Sequence, residues 1–260
     1  MSLIKNVVSV FDGMSCGQIA LNQVGIDYEN YYASEIDKYA IQITSKNFPN
    51  TNQMGSIVDL KSENLPEIDL LFGGSPCQDL SGLKNEGKGL EGEKSKLFWE
   101  FVRLKNELNP KYFLLENVVP RKKEWKEQID KILGVEGVLI NSDLFVEQNR
   151  PRYYWTNVPI KELPQRPEWN KSYFQWRRTY FRENKSGVCP CLTANMGTGG
   201  HNVPLKSKDL TDKLSPNECE ALQGVPNNYT EGVSNTQRYK MLGNGWTVPV
   251  IAHIFSSLKD

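Results

Sequence analysis

Over the first 158 residues, short apolar runs of strand length alternate with segments of helical period, and few folds accommodate that rhythm. Residues 6–11 (NVVSVF) and 30–34 (NYYAS) read as strands, with a weaker strand around 53–58. The helical patterns GQIALNQVGI and DKYAIQITSKNF follow the first two. IDLLFG (68–73) and YFLLEN (112–117) are continuous apolar runs, as expected of strands covered on both faces, and KLFWEFVRLKNEL lies between them as a helix. Strands separated by helices pair in parallel. The expectation is an α/β fold, a doubly wound and mostly parallel sheet. From about 159 the period fails: IKELPQRPEWNKSYFQWRRTYFRENKSG carries two prolines and scattered aromatics, which reads as a smaller inserted lobe. Order returns with Ser215-Pro216 and Glu218, a capped helix start, and with TVPVIAHIFSSL, a closing amphipathic helix.

Composition bounds the rest. With 260 residues, 38% of them hydrophobic, the chain can bury one large core, or a core plus a small lobe. No apolar run approaches the ~20 residues that cross a bilayer. The opening MSLIKNVVSVFDG reads as a strand rather than a signal peptide, so a soluble, cytoplasmic protein is expected. Five cysteines at irregular spacing (16, 77, 189, 191, 219) argue against a disulfide framework. Cys189-x-Cys191 with His201 and Cys219 lacks the paired spacing of a zinc site, and no metal is expected. Formal net charge is zero, yet between Arg166 and Lys208 eight Lys or Arg stand against two Glu, interleaved with aromatics. That patch is either a solvated basic face or a source of phosphate contacts.

Two stretches carry chemistry. VVSVFDGMSCGQIAL is strand, glycine turn and helix, but Gly13 and Gly17 lack the G-x-G-x-x-G spacing, and no phosphate loop occurs. Glu35 stands at the tip of the second strand, 22 residues after Gly13, where such folds bind ribose hydroxyls; a surface glutamate opening a helix is the plain alternative. A nucleoside site without phosphate machinery points to S-adenosylmethionine over NAD or ATP. In GGSPC, Gly73-Gly74 permit a sharp turn and Pro76 stiffens the approach to Cys77 at the carboxyl edge of a strand. That position suits a nucleophile, and the polar QDLSG after it argues against a buried structural cysteine. One strand away LLENVV ends in Glu116-Asn117, and adjacent strands lie about 4.8 Å apart, so thiol and carboxyl can flank one planar substrate. In EQNRPRYYW, Gln148, Arg150 and Arg152 alternate onto one face, ready to orient a carboxylate and bind a polar base edge.

The ordered set GGSPC, ENV, QNRPR and GNGWTVPV resembles the DNA (cytosine-5)-methyltransferase family through nearly the whole chain. FDG and GGSPC are most similar to the mammalian de novo cytosine methyltransferases, and CPCLTANMGTGG and LSPNECEALQGVP to bacterial or phage modification enzymes. The resemblance implies methyl transfer from S-adenosylmethionine to C5 of a flipped-out cytosine in a short double-stranded DNA sequence. Cys77 would add to C6, Glu116 would hold N3, and Arg152 would contact O2. Arg150 would hold Glu116 and a nearby phosphate, while Asn117 and Pro76 shape the pocket. Phe11, Asp12, Gly13 and Met14 match the family's first cofactor motif, Glu35 and Ile36 its second, and Ile57 its third. Gly74, Pro76 and Leu97 match further cofactor contacts, and Asn244 and Gly245 would close that site. The implied domains are 1–158 with 240–260 for catalysis and 159–239 for target recognition.

A base inside a duplex must be flipped out before chemistry, at a cost of a few kcal/mol. Residues 81–96, rich in glycine and lysine, would form a lid ordering on DNA, with Ser81, Lys84 and Lys88 near phosphates. In the lobe, Arg177, Arg178, Arg182 and Asn195 are candidate DNA-reading residues, and Gln148 joins them from the strand. Two positions depart from the family pattern. Ser56 replaces the usual acidic residue of the third motif, with Asp59 offered in its place, and Cys191-Leu192 replaces a Thr-Leu pair. The alternatives are a transfer-RNA methyltransferase, whose Cys-Phe-Thr motif is missing here, a catalytically dead relative, and a zinc-stabilised binding module. A monomer is expected, with a cognate restriction endonuclease as a candidate partner.

Overall fold

The computed structural model describes residues 4–76, 90, 96–177, 179–198 and 203–259. Its first half alternates as the apolar runs dictate: β1 (Asn6–Val10), α1 (Cys16–Gln23), β2 (Asn30–Ser34), α2 (Lys38–Asn47), β3 (Asn52–Gln53), β4 (Leu70–Gly74), α3 (Lys96–Leu108) and β5 (Tyr112–Val118). Then follow α4 (Lys123–Leu133), β6 (Val138–Asn141), β7 (Gln148–Asn149) and β8 (Pro151–Thr156). Seven strands form one sheet in the order β3-β2-β1-β4-β5-β8-β6. Pairs from β3 through β5 are parallel, and β8 runs antiparallel between β5 and β6. The strand expected around 53–58 shrinks to two residues at the sheet edge.

Strand periodicity divides the core into two faces. Val7, Leu70, Phe72 and Leu114 join one apolar cluster, with α1 and the C-terminal helix packed there. Val8, Leu71, Phe113 and Leu115 join the other, under Phe98, Phe101 and Leu104 of α3 and Trp125, Ile129 and Leu133 of α4. Both faces are covered, which is why these strands are continuously apolar.

The C-terminal part holds β9 (Tyr173–Trp176), β10 (Phe181–Asn184), β11 (Cys189–Pro190), β12 (Pro204–Leu205), α5 (Pro216–Gln223), α6 (Asn235–Asn244) and α7 (Val248–Phe255). β10, β9 and β12 make a small sheet, and β11 pairs with β7. The expected cap of α5 is a full capping box between Ser215 and Glu218. Tyr173, Cys189, Leu192 and Leu205 belong to the same apolar cluster as Val7 and α7, so this part shares the first core. At Gly243 the chain of 193–194 passes so close to α6 that a Cβ would lie 2.2 Å from the Thr193 carbonyl carbon.

Candidate active site

The carboxyl ends of β1, β2, β4 and β5 open on a cavity of about 500 Å³, a usual size for a small-molecule site. Its floor is the turn after β1. Phe11 (φ 58), Gly13 (φ 59) and Ser15 (φ 64) all lie in the left-handed region, which costs a residue with a Cβ about 1–3 kcal/mol. Hydrogen bonds hold that shape. Ser15 Oγ donates to Asp12 Oδ2 at 2.7 Å, and the Gly13 amide donates to Glu35 Oε2 at 2.7 Å. Glu35 Oε1 accepts from the amides of Ile36 and Asp37, at the start of α2, where backbone dipoles favour an anion.

The walls at this end are apolar, with Phe11, Ile36, Ile57 and Leu97, closed by Asn244 and Gly245 at the end of α6. Ser56 also lines the cavity, and its hydroxyl accepts from the Val58 amide. Asp59 is exposed and is not among the lining residues, so it does not stand in for the missing acid. Met14 is corrected too: it is buried, with its methyl packed behind Gly245, outside the lining. Asp12 contributes to the wall, but Tyr31 and Ser15 hydroxyls occupy both its oxygens. Burial lifts the Asp12 carboxyl to about 6, against these hydrogen bonds, which pull it down.

The other end is built on the β4–β5 register, which sets Gly74 opposite Glu116. A Cβ on Gly74 would sit 2.7 Å from Trp246 Nε1 and 2.9 Å from Glu116 Oε2, so glycine is what lets those two meet. Trp246 Nε1 donates to Glu116 Oε2 at 3.2 Å, and Arg152 Nε pairs with Oε1 at 2.9 Å. Burial opposes the Arg152 charge, but Glu116, with Cys191 and Tyr154 beside it, outweighs burial and raises the guanidinium above its ordinary value. Asn117 Nδ2 donates to Ser75 Oγ at 3.0 Å, tying β5 to the segment that ends at Pro76. Cys77 directly follows Pro76 and lies outside the described residues, as do Ser81, Lys84, Lys88 and Arg178.

Two expected roles change. Arg150 does not hold Glu116. It is buried, and its guanidinium donates to the carbonyls of Leu192 (3.1 Å), Gly243 (3.0 Å) and Gly245 (2.9 Å), joining the C-terminal part to the sheet. Gln148 is fully buried and unavailable to DNA, because its amide donates to Leu222 O and accepts from the Leu192 amide. Arg177 and Arg182 are exposed on the β9–β10 hairpin, and Asn195 is exposed beyond β11. Sequence reasoning gave Trp246 no role. Its only signal was its place in GNGWTVPV.

The family profile of the C-5 cytosine-specific DNA methylases matches residues 5–158 and 122–260, two overlapping stretches that cover almost the whole chain. The chain belongs to the C-5 cytosine-specific DNA methylase family. It is a DNA (cytosine-5)-methyltransferase. This methyltransferase is 32% identical to the type II methyltransferase M.Bsp6I of Bacillus sp. (strain RFL6), over 97% of the chain and 98% of the relative. It is 27% identical to the type II methyltransferase M1.ScrFI of Lactococcus lactis subsp. cremoris, over 98% and 78%. Among solved structures, the methyltransferase EhMeth of Entamoeba histolytica superposes with a TM-score of 0.74 at 21% identity, over 98% and 99% of the two chains, a likeness of fold. No helix among the described residues is long and apolar enough to cross a membrane.

Proposed function

We propose that this methyltransferase uses S-adenosylmethionine to methylate C5 of a flipped-out cytosine in one short double-stranded DNA sequence, through a covalent bond from Cys77 to C6. The observation that carries the reading is one cavity lined at one end by the Gly13–Glu35 turn and at the other by the Glu116–Arg152 pair. Its lining suits a nucleoside without phosphates. The cations that line it, Lys240, Arg150 and Arg152, already hold protein partners, while Gly13 and Gly55 leave open space where a Cβ would point.

In this reading Glu35 accepts the ribose hydroxyls, and Ile36, Ile57 and Leu97 flank the adenine. When bound, the cofactor supplies an electrophilic methyl. Cys77, as thiolate, bonds to C6 of the cytosine and breaks its aromaticity, which makes C5 nucleophilic. Glu116 shares a proton with N3 and stabilises the adduct, while Arg152 holds Glu116 and meets the base O2. Loss of the C5 proton then expels the Cys77 sulfur. Residues 159–239 form the target-recognition lobe in this account, with Arg177, Arg178, Arg182 and Asn195 nearest the bases. The lid expected over 81–96 lies almost entirely outside the described residues.

Bisulfite sequencing of a plasmid from cells expressing the protein, beside a Cys77→Ala control, tests this. Protection of cytosines in one recurrent context, lost in the control, is the expected result. Equal protection in both samples, or none in either, contradicts it.

A further inference from the structure

The two arginines of QNRPR enclose a third group. Cys191 Sγ lies 3.3 Å from Arg150 Nη1 and 3.9 Å from Arg152 Nη2. Arg152 is thereby held on three sides: Nε on Glu116, Nη1 on the Pro151 carbonyl at 2.8 Å, and Nη2 on the sulfur. Charge does not balance in this enclosure if the thiol is neutral. Two guanidinium cations, Arg150 buried and Arg152 partly exposed on the cavity wall, stand beside the single carboxylate of Glu116, and the oxygens that Arg150 meets among the described residues are uncharged carbonyls. A sulfur anion between them supplies the missing charge, and burial makes that charge worth more than it would be in water. The thiol responds as this geometry requires: burial alone would raise it, but Arg150 and Arg152 outweigh burial and hold it below its ordinary value.

We propose that Cys191 is a positioning residue of the methyltransferase: its thiolate completes the array Glu116–Arg152–Cys191–Arg150 and keeps the Arg152 guanidinium aligned on the Glu116 carboxyl. The role rests on the reading of Glu116 as the group that handles the base. Because Leu192, the next residue, donates its amide to Gln148 and accepts from Arg150 on its carbonyl, the sulfur also couples the C-terminal part, through Arg152, to the Glu116 carboxyl. The cysteine that replaces the expected threonine is therefore a functional substitution. A hydroxyl accepts a hydrogen bond but ionises far less readily than a thiol.

The charged and titratable groups around the sulfur are Arg152 of β8 and Arg150 just before it, Glu116 behind Arg152, Tyr154 of β8 and Cys189 of β11. Burial raises both Tyr154 and Cys189 well out of the neutral range, so neither titrates in the window of the test. In full-length Cys77→Ala protein, alkylation of Cys191 by iodoacetamide is followed against pH by peptide mass spectrometry. The expected inflection lies below the ~8.5 of a free thiol. It moves lower again in Cys77→Ala/Glu116→Gln, where Arg152 loses its carboxylate. An inflection at or above the free value, unmoved by Glu116→Gln, overturns the proposal. In the Cys77-intact enzyme, Cys191→Ala is expected to lower kcat about tenfold with KM for DNA within about twofold, Cys191→Thr recovering only part. Unchanged kcat with a lowered melting temperature, or raised KM with kcat kept, overturns it too. Should Glu116→Gln leave methylation intact, the reading of Glu116 fails while the alkylation profile still reports on the array.

Discussion

The two ends of the cavity present a carboxylate each, and they hold it in opposite ways. Glu35 is gripped by neighbours in sequence: the amides of Ile36 and Asp37, and that of Gly13 only 22 residues earlier. Glu116 is gripped by side chains that arrive from far away, Arg152 on the antiparallel return strand and Trp246 from 130 residues downstream. A local grip is written into one turn. A distant grip depends on the C-terminal part docking correctly, so the Glu116 end is where folding of that part and chemistry become one property.

Substitutions that strike one end and spare the other sharpen this contrast. The largest effect is expected from Glu116→Gln, which keeps shape but removes the charge and shared proton: kcat falls about 10²–10⁴-fold, while calorimetric binding of the cofactor is unchanged. Asp12→Asn comes next, and its signature lies in stability. The unfolded carboxyl ionises near 3.8 and the folded one near 6, so the folded chain holds more protons between those values. Stability from this group therefore falls as pH rises through that window, by about 3 kcal/mol when complete. Asparagine removes that dependence, and denaturant melts should show the variant gaining on the parent from pH 4 to pH 7. Glu35→Gln loses charge-assisted bonds worth about 1.5–3 kcal/mol together, so cofactor binding weakens about 10- to 100-fold while DNA affinity holds. Smallest is Trp246→Phe, which keeps the ring against Phe72 and deletes one donor to Glu116; kcat drops about fivefold, with the melting temperature little moved.

The same contrast explains what the sequence disclosed. The alternation of apolar runs and helices, the Gly13–Glu35 spacing and the capped start at Ser215 are local signals, and the fold repeats them with shifts of up to three residues at their ends. The 53–58 strand failed because this edge segment is mostly polar and pairs only through Asn52 and Gln53. Gln148 and Arg150 were misplaced for a different reason. Alternation along a strand fixes which way a side chain points, but not what waits there, and what waits is the backbone of 192, 222, 243 and 245. Trp246 had a motif but no visible partner. Its partner was settled by Gly74, whose missing Cβ makes room for both.

The central claim is that Cys77 and Glu116 take opposite edges of one cytosine ring. Fluorine at C5 cannot leave as the proton does, so a duplex carrying 5-fluorocytosine at the position defined by bisulfite sequencing should stall with the sulfur still attached. Mass spectrometry of the digest, in the presence of S-adenosylmethionine, is expected to find the nucleotide on the peptide containing Cys77, and far less of it in Glu116→Gln. A nucleotide on any other cysteine peptide, or none on an enzyme that methylates the unfluorinated duplex, contradicts the account.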